Sequence, residues 1–194
     1  MTAKDTKASE GRSPSAESGE SPVKQMGGAG GERLSPPDMV IQRMTENDLP
    51  EVMTIETASF PTPFTENLFR MELNLNVAHL YVVKHADKVT GYVDFWRVGP
   101  EVHLITIGVH PDFRKRGIGT KLIEFMLDEA RKNRVETVSL DVRPTNTAGL
   151  KLYQKFGFRQ AGIRRRYYQD NDEDALVLSL HLKESEQPSV KPAE

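Results

Sequence analysis

The sequence predicts an α/β (α+β) domain built on one mixed sheet of about seven strands, with four helices packed against it. Three observations support this class: short runs rich in β-branched and aromatic residues, longer segments with apolar residues at helical spacing, and glycine, proline or asparagine between them. In chain order the elements are β-α-α-β-β-β-α-β-α-β-β. Strands and helices in this order pack as layers around a core.

The first part of the predicted domain combines a strand with two helices. A strand at 39–44, MVIQRM, precedes Thr45, which is suited to cap a helix that runs to about Ser59. Two prolines in the segment 60–64, FPTPF, interrupt that helix, because proline lacks an amide proton and clashes with the preceding turn. A second helix is expected from Thr65, in TENLFRMEL.

The rest of the domain contains the remaining strands and a long amphipathic helix. Between Gly117 and about Lys132, apolar residues recur at the spacing of a single buried stripe. A shorter helix follows, which Asn146 is placed to cap and Gly157 to terminate. Strands are expected to start at Ala78, Gly91, Glu101, Glu136, Phe158 and Asp174.

Composition limits the class of protein and the extent of the domain. The chain has 194 residues, a formal net charge of −2 and no cysteine, which excludes disulfides and thiolate chemistry. Residues 1–38 have no aromatic side chain and are rich in glycine, serine and proline. Together with 183–194 they are expected to be disordered tails around a domain at 39–182. Without a long apolar run or the apolar core of a signal peptide, the chain is expected to be cytoplasmic, with no membrane partner.

The hexapeptide RKRGIG, residues 114–119, stands between a predicted strand and the long helix. The first amide groups of a helix have no intrahelical partner, and the helix dipole is positive there. Three cations and two glycines at this point therefore suit a diphosphate. The spacing is neither that of a Walker P-loop nor that of the three-glycine dinucleotide fingerprint. A solvated basic loop would leave the same pattern, and the hexapeptide alone does not separate the two interpretations.

Three segments together resemble the GNAT superfamily, the Gcn5-related N-acetyltransferases. RKRGIG has the R-x-x-G-x-G form of the family's pyrophosphate loop, and it follows LITIGVHPDF, which looks like the family's central strand. Downstream, LDVRPTNTAGLKLYQKFGF resembles the second cofactor segment, and RRRYYQDNDEDALVLSL resembles the protein N-terminal acetyltransferases, above all those of the RimI type. The likeness covers residues 41–182 and implies the GNAT fold, with a mostly antiparallel sheet.

The resemblance implies direct transfer of an acetyl group from acetyl-CoA to an amine, with no metal ion. The absence of cysteine agrees with direct attack, because no thiol is present to carry the acetyl group. Backbone groups of 114–120 would hold the pyrophosphate, the strand at 107–109 would pair with the pantetheine arm, and an amide near Gly108 would bind the oxyanion. The implied cosubstrate contacts are Ile107, Gly108, Val109, Arg114, Lys115, Arg116, Gly117, Ile118, Gly119, Thr120, Asn146 and Tyr153.

Three side chains are candidates for the proton transfers. By resemblance, Tyr153 is the acid that protonates the departing thiolate, and a tyrosine packed at the core edge is the alternative. His103 and Asp141 align with the base positions of related enzymes, which lie on adjacent strands. A carboxylate that faces an imidazole would orient it and raise its basicity. The alternatives are a structural histidine and an aspartate paired with Arg143 or a backbone amide. RimI-type enzymes have glutamate at the position of Asp141, so the shorter aspartate favours a bridging water.

Two segments match the walls of the family's peptide groove. One contains Phe60, Pro61 and Phe64, and the other contains Tyr167 and Tyr168, which would clasp a substrate backbone unless they form a cross-strand aromatic pair. A groove with two walls favours a chain terminus over a lysine on a folded surface. The expected partner is therefore a protein or peptide N-terminus, with a ribosomal protein as one candidate. A monomer or weak dimer with no specific nucleic-acid partner is expected.

Two other functions stay open at this point. A GNAT enzyme that acetylates lysine side chains, polyamines or another small amine would need an acidic pocket, and the acids of QDNDED, residues 169–174, make one conceivable. A non-catalytic module that binds acetyl-CoA is the second, although the intact Tyr153 and the complete RKRGIG count against it. The arginines 164–166 are expected to form a solvated face.

Overall fold

The computed structural model describes residues 39–182, and the predicted tails, 1–38 and 183–194, lie outside the described residues. Within 39–182 seven strands and four α-helices follow one another in the predicted order. The strands are Val40–Arg43 (β1), Ala78–His85 (β2), Lys88–Val98 (β3), Glu101–Val109 (β4), Thr137–Val142 (β5), Arg159–Tyr168 (β6) and Glu173–His181 (β7). The helices are Leu49–Ser59 (α1), Glu66–Leu73 (α2), Ile118–Lys132 (α3) and Thr147–Lys155 (α4).

The first helix starts later than the sequence suggests. Thr45 precedes a short 3-10 turn, Glu46–Asp48, and the Asp48 carboxylate accepts hydrogen bonds from the backbone N–H and the hydroxyl of Thr45 at 2.8 and 2.9 Å. Pro50 then occupies the first turn of α1, where its missing N–H would have no helical partner. The prediction of a helix capped by Thr45 is therefore wrong for the first turn, although the end at Ser59 is confirmed.

The strands form a single sheet in the order β1-β2-β3-β4-β5-β7-β6. Every neighbouring pair is antiparallel except β4 and β5, which are parallel. The mixed, mostly antiparallel sheet is confirmed. No helix within residues 39–182 combines the length and the apolar character needed to cross a membrane.

The two parallel strands separate before they end. Their ladder runs from Glu101 with Thr137 to Leu104 with Leu140 and goes no further. Strand β4 continues to Val109, and beyond the ladder its only partner among the described strands is β3. We call the gap between residues 105–109 of β4 and the end of β5 the fork.

A bulge in β4 lies where the fork begins. Asp94 pairs with Thr106, whereas the next residue of β3, Phe95, pairs with Leu104, so Ile105 is an extra residue in β4. An extra residue bends a strand and increases its twist. The bulge therefore bends β4 at the point where it leaves β5.

Each face of the sheet packs on its own core. Helices α3 and α4 cover one face, the helix-3 face, and α1 and α2 cover the other, the helix-1 face. The stripe predicted for α3 is buried, and full burial of each large apolar side chain contributes about 1.5–3 kcal/mol. Because Leu104 and Leu140 belong to the core under α3, strand alternation directs His103, Ser139 and Asp141 to the helix-1 face.

Candidate active site

His103 and Asp141 meet across β4 and β5 at the base of the fork. The His103 Nε2 atom is 3.7 Å from Asp141 Oδ2, and His103 Nδ1 shares a hydrogen bond of 2.9 Å with the Ser139 hydroxyl. Ser139 is the register partner of His103, and Asp141 follows two residues later on the same face of β5. The structure thus brings together the two residues that the sequence indicated as candidates for the general base.

Burial favours the neutral form of His103. It lowers the pKa of His103 below its ordinary value of 6.5, although the Asp141 carboxylate acts in the opposite direction. A neutral imidazole is the form that accepts a proton. The Asp141 side chain is only 8% exposed, and its second oxygen accepts a hydrogen bond of 3.0 Å from Arg164 Nε. The alternative partner considered for Asp141, Arg143, is wrong, because Arg143 binds the β6–β7 hairpin instead.

Tyr153 and Tyr168 are connected to this pair by electrostatics. Tyr153 is buried in the core under α3, with its ring centroid 5.9 Å from that of Phe158, and burial raises its pKa above the ordinary value of 10. Burial also raises the pKa of Tyr168 to about 12, and the Asp141 carboxylate adds to that rise. Tyr168 in turn contributes to the raised pKa of Tyr153. The predicted acid therefore belongs to the face of the sheet opposite that of the predicted base.

Arg143 has a structural role that the sequence did not suggest. Its guanidinium lies 3.7 Å from the centroid of the Tyr168 ring and donates to Asp170 at 2.6 Å and to Glu173 at 3.0 Å. The Thr145 hydroxyl donates to the same Glu173 carboxylate at 2.7 Å. These contacts fasten the tip of the β6–β7 hairpin to the turn before α4. The signal available in the sequence was the alternation of Ser139 and Asp141 on one face of β5, with Arg143 directly after the end of that strand.

The start of α3 offers amide groups that no side chain caps. Gly117 precedes the helix with φ 90°, a left-handed conformation that favours glycine, and no side chain of the described residues forms a cap hydrogen bond there. The first intrahelical bond runs from the Lys121 N–H to the Gly117 carbonyl, so the amides of Ile118, Gly119 and Thr120 have no helical partner. Amides of this kind at the start of a helix are suited to bind an anion.

Packing explains the second glycine of RKRGIG. A Cβ atom on Gly119 would lie 3.3 Å from Leu152 of α4, closer than most real contacts of this kind. On the other side, a Cβ on Gly91 of β3 would come within 2.8 Å of Ile118. The absence of side chains at these two positions lets the start of α3 sit against β3 and α4. Gly119 thus has a packing reason in addition to the close approach of a ligand that the sequence suggested.

The three cations of the loop point to different neighbours. Arg114 is turned back onto the protein, where it donates to the Val109 carbonyl at 3.2 Å and to the Ser59 hydroxyl at 2.9 Å. The Arg116 guanidinium lies 5.2 Å from the centroid of the Phe113 ring. Lys115 has φ 62° and makes no hydrogen bond or ion pair within the described part of the chain. Only Lys115 and Arg116 are therefore available to add charge beside the amides.

The other predicted cosubstrate residues follow the fork. Ile107 and Val109 direct their side chains to the core under α3, and their strand has no described neighbour on the fork side. Gly108 faces the opposite core, where a Cβ would come within 2.4 Å of the Tyr92 ring, so only glycine fits. Asn146 caps α4 by accepting the Gly149 N–H at 2.9 Å, which confirms the predicted cap.

The segment predicted as one groove wall is held by a buried carboxylate. Glu56 of α1 is only 2% exposed; its backbone carbonyl accepts the Phe60 N–H at 3.0 Å, and its side chain accepts the Phe64 N–H at 2.8 Å. Phe64 packs against the core under α1, while Pro61 is exposed. Glu56 could not be singled out from the sequence, because nothing local distinguishes it from a solvated helical glutamate.

The tyrosines predicted for the other wall pack against each other. The ring centroids of Tyr167 and Tyr168 are 5.1 Å apart at 90°, and Tyr167 is 46% exposed. Neighbours in the chain, they form an edge-to-face pair at the end of β6 and not a cross-strand pair. The arginines that precede them are exposed, as expected, but Arg164 and Arg165 are also ion-paired, with Asp141 and Asp174.

Comparison with known proteins identifies the family of this chain. The sequence profile of the Acetyltransferase (GNAT) family matches residues 49–158. The ribosomal protein bS18-alanine N-acetyltransferase of Escherichia coli K12 is 32% identical over 144 residues, which cover 73% of this chain and 97% of that protein. The N-alpha-acetyltransferase RimI of Mycobacterium tuberculosis is 34% identical over 148 residues, covering 72% of this chain and 90% of that protein.

Solved structures show the same fold. The crystal structure of the ribosomal-protein-S18-alanine N-acetyltransferase from Escherichia coli superposes with a TM-score of 0.70 at 30% identity, covering 77% of this chain and 97% of that one. Arabidopsis thaliana NAA60 in complex with acetyl-CoA superposes with a TM-score of 0.68 at 19% identity, covering 74% and 98%, a likeness that concerns the fold alone. The chain therefore belongs to the GNAT family and is an acetyl-CoA-dependent N-acetyltransferase similar to the RimI type.

Proposed function

We propose that this enzyme acetylates the free α-amine of a protein N-terminus, with the N-terminal alanine of a ribosomal protein as the first candidate. The observation that carries the proposal is the position of His103 beside Asp141 at the base of the open fork, where burial lowers the pKa of the imidazole. The names of its Escherichia coli and Mycobacterium tuberculosis relatives describe the same kind of reaction.

The fork is suited to the cosubstrate on physical grounds. Bound acetyl-CoA would supply an acetyl group as a thioester, with an electrophilic carbonyl carbon and a thiolate leaving group. The edge of β4 from Ile107 to Val109 would pair with the pantetheine amides as a further strand would. The uncapped amides of Ile118, Gly119 and Thr120, assisted by Lys115 and Arg116, would hold the diphosphate. A backbone N–H at Gly108 or Val109 would stabilise the developing negative charge on the carbonyl oxygen.

His103 would remove the proton from the attacking amine. We assign its proton to Nδ1, because the Ser139 hydroxyl that it contacts is itself directed at the Val102 carbonyl, 3.5 Å away. Nε2 and the Asp141 oxygen 3.7 Å from it are then both acceptors, and an N–H or water proton between them would satisfy both. A water beside the pair, which donates to either acceptor, would be the bridge to the amine that the short aspartate side chain favours.

The strength of this base favours an α-amine over a lysine. A lowered pKa makes His103 a modest base, and an α-amine with a pKa of about 7.7–8.0 already has a useful free-base fraction near neutral pH. The lysine amine, near 10.4, lies roughly 3.4 kcal/mol further from deprotonation.

Tyr153 would act on the leaving group. Its raised pKa keeps the phenol protonated at neutral pH, so that it can donate a hydrogen bond to the sulfur. A weaker acid gives up its proton less readily, which means that transfer follows only as thiolate charge develops. Asn146 would contact the cosubstrate from the start of the helix that also carries Tyr153.

Three of the four acids considered for a polyamine pocket are engaged in ion pairs. Asp170 and Glu173 pair with Arg143, and Asp174 pairs with Arg165. This pairing counts against a small polycationic substrate. It instead supports a rigid hairpin wall, in which Tyr167 and Tyr168 would contact the peptide opposite Phe60, Pro61 and Phe64.

A panel of acceptors tests the proposal. Wild-type enzyme with acetyl-CoA would be offered alanine-terminated peptides with a free α-amine, lysine peptides with blocked termini, and spermidine. Turnover confined to free α-amines is the expected result. Turnover on blocked lysine peptides or spermidine, with none on free α-amines, would refute it.

Several narrower proposals accompany this function. Residues 39–182 are taken as the catalytic domain, so a protein shortened to them should keep kcat/KM within two-fold of that of the full chain. We further propose a cytoplasmic monomer or weak dimer that needs no metal, membrane or specific nucleic acid. Loss of turnover on treatment with a chelator would contradict the proposal that no metal is needed. Sedimentation velocity would measure the state of association. Residues 39–182 contain no group of three His, Asp or Glu side chains arranged to hold a metal ion.

A further inference from the structure

A hydrogen-bonded chain runs through the core under α1 to the fork. The buried Tyr92 hydroxyl of β3 donates to Glu56 Oε2, and the Tyr92 oxygen lies 3.3 Å from the Thr106 hydroxyl of β4. Thr106 is half-buried, follows the bulge, and lies on the helix-1 face between His103 and Gly108. The chain therefore connects a buried carboxylate on α1 to a hydroxyl at the beginning of the fork.

The donors in this chain can point in only one direction while Glu56 is ionised. A carboxylate has no proton, so both Glu56 oxygens accept: one from the Phe64 N–H and one from the Tyr92 hydroxyl. Tyr92 has then used its single proton, and its oxygen can only accept in the contact with Thr106. The Thr106 proton is therefore directed at Tyr92. Its oxygen keeps lone pairs for a donor that arrives from the fork.

We propose that the Thr106 hydroxyl oxygen is a further acceptor for the substrate amine, and that Glu56 and Tyr92 fix its polarity as positioning residues. This inference rests on the proposed function, because it places the acceptor amine in the fork beside His103. With the His103–Asp141 pair, Thr106 gives the amine a second hydrogen-bond acceptor on the same face of the sheet. An amine with two acceptors is held with its lone pair directed away from both, which is the orientation that attack on a carbonyl carbon requires.

Three substitutions separate polarity from shape. Thr106→Val removes the hydroxyl and preserves the branched shape, and Tyr92→Phe breaks the chain in its middle. Glu56→Gln retains an oxygen for the Phe64 N–H but turns an amide N–H₂ towards Tyr92, which reverses the direction of donation. Each should lower kcat/KM for a free-amine peptide roughly ten-fold, the effect of one lost hydrogen bond. The KM for acetyl-CoA should stay within two-fold of the wild-type value.

Two further variants serve as controls. Thr106→Ser keeps the hydroxyl and should recover most of the loss. Thr90→Val makes the same substitution at a buried threonine of β3 whose hydroxyl donates to the Val83 carbonyl at 3.1 Å, outside the chain. It should leave kcat/KM within two-fold of wild type.

A binding measurement gives a readout that a structural role would not move. Calorimetry with the CoA-bound enzyme would compare an alanine-terminated peptide with the same peptide carrying a propionyl group in place of alanine, which lacks only the amine. Wild type should prefer the amine, and Thr106→Val should reduce that preference roughly ten-fold.

The result that would overturn the inference is specific. A Thr106→Val enzyme with kcat/KM and amine preference within two-fold of wild type refutes it, and so does an equal loss in acetyl-CoA binding. If Glu56→Gln fails to fold, Tyr92→Phe provides the same test of the chain. Should wild type acetylate another amine instead, the proposed function fails by itself, and that amine replaces the peptide in the comparison.

Discussion

Asp94 is a fully buried carboxylic acid in the middle of the sheet, and replacing it with asparagine should change how stability depends on pH. Its side chain projects between those of Tyr92 and Trp96 on β3, and neither carboxyl oxygen has a hydrogen-bond partner within residues 39–182. Burial, with a smaller contribution from the Glu72 carboxylate, raises its pKa from 3.8 to about 8. The folded protein therefore holds a proton here that the unfolded chain releases above pH 4.

The size of the effect follows from proton linkage. Between about pH 4 and pH 8 the folded state binds one more proton at Asp94 than the unfolded state, so the free energy of unfolding falls as pH rises. The slope is about 1.4 kcal/mol per pH unit, which amounts to about 2.7 kcal/mol between pH 5 and pH 7. Asp94→Asn cannot ionise and loses this slope. Its stability relative to wild type should rise by that amount over the same interval.

Urea unfolding at pH 5, 6 and 7 measures the difference. With a slope of about 1–3 kcal/mol per molar urea, the midpoints of the two proteins should move apart by roughly 1–3 M. Asp128→Asn is the matched control, since that side chain on α3 is 62% exposed and its difference from wild type should stay flat. A flat difference for Asp94→Asn as well would mean that Asp94 ionises in the folded protein, and the reasoning would be refuted.

Four further predictions concern the site. His103→Gln should lower kcat/KM about 100-fold and remove an acidic limb below the ordinary pKa of 6.5 from its pH profile, because burial lowers the pKa of this base; an unchanged limb would assign the base elsewhere. Gly117→Ala should weaken acetyl-CoA binding in calorimetry, since a backbone φ of 90° costs a residue other than glycine about 1–2 kcal/mol of conformational energy. Gly99→Ala, at φ 56° in a hairpin turn, is the control and should lose similar stability without weakening acetyl-CoA binding. Arg143→Ala should raise the KM of the peptide several-fold and spare that of acetyl-CoA, because it frees the hairpin tip; equal changes in both would contradict this. Tyr153→Phe should lower kcat about 100-fold while the melting temperature stays within about 2 °C, since the hydroxyl makes no hydrogen bond within residues 39–182; an unchanged kcat would exclude it as the acid.

Most element boundaries could be predicted because the forces that set them are local. Proline in the segment 60–64, the cap at Asn146 and the apolar stripe of α3 each act over a few residues, and the structure has the corresponding elements. The first turn of α1 was missed because Asp48 and Thr45 bond reciprocally in a 3-10 turn, a choice that composition does not reveal.

Only part of the candidate site could be predicted, because some of its contacts depend on the order of the strands in the sheet. His103 and Asp141 were proposed from a family resemblance and from the expectation of adjacent strands, and the parallel pairing of β4 with β5 does bring them together. Arg164 was expected to be solvated, yet its guanidinium binds Asp141. In the sheet β7 lies between β5 and β6, so this contact reaches across β7. Such a contact depends on strand order, which no local pattern encodes.

The sequence by itself determined the layered α/β class, the order of its elements and the glycine-bearing start of α3, because propensity, capping and apolar periodicity act between near neighbours in the chain. Only the tertiary structure decided where β4 leaves β5, which carboxylates are buried, and that Glu56, Tyr92 and Thr106 form one chain. Those features arise where residues distant in sequence are packed out of contact with water. There the desolvation of a polar group and the partner that it finds are fixed by the whole fold.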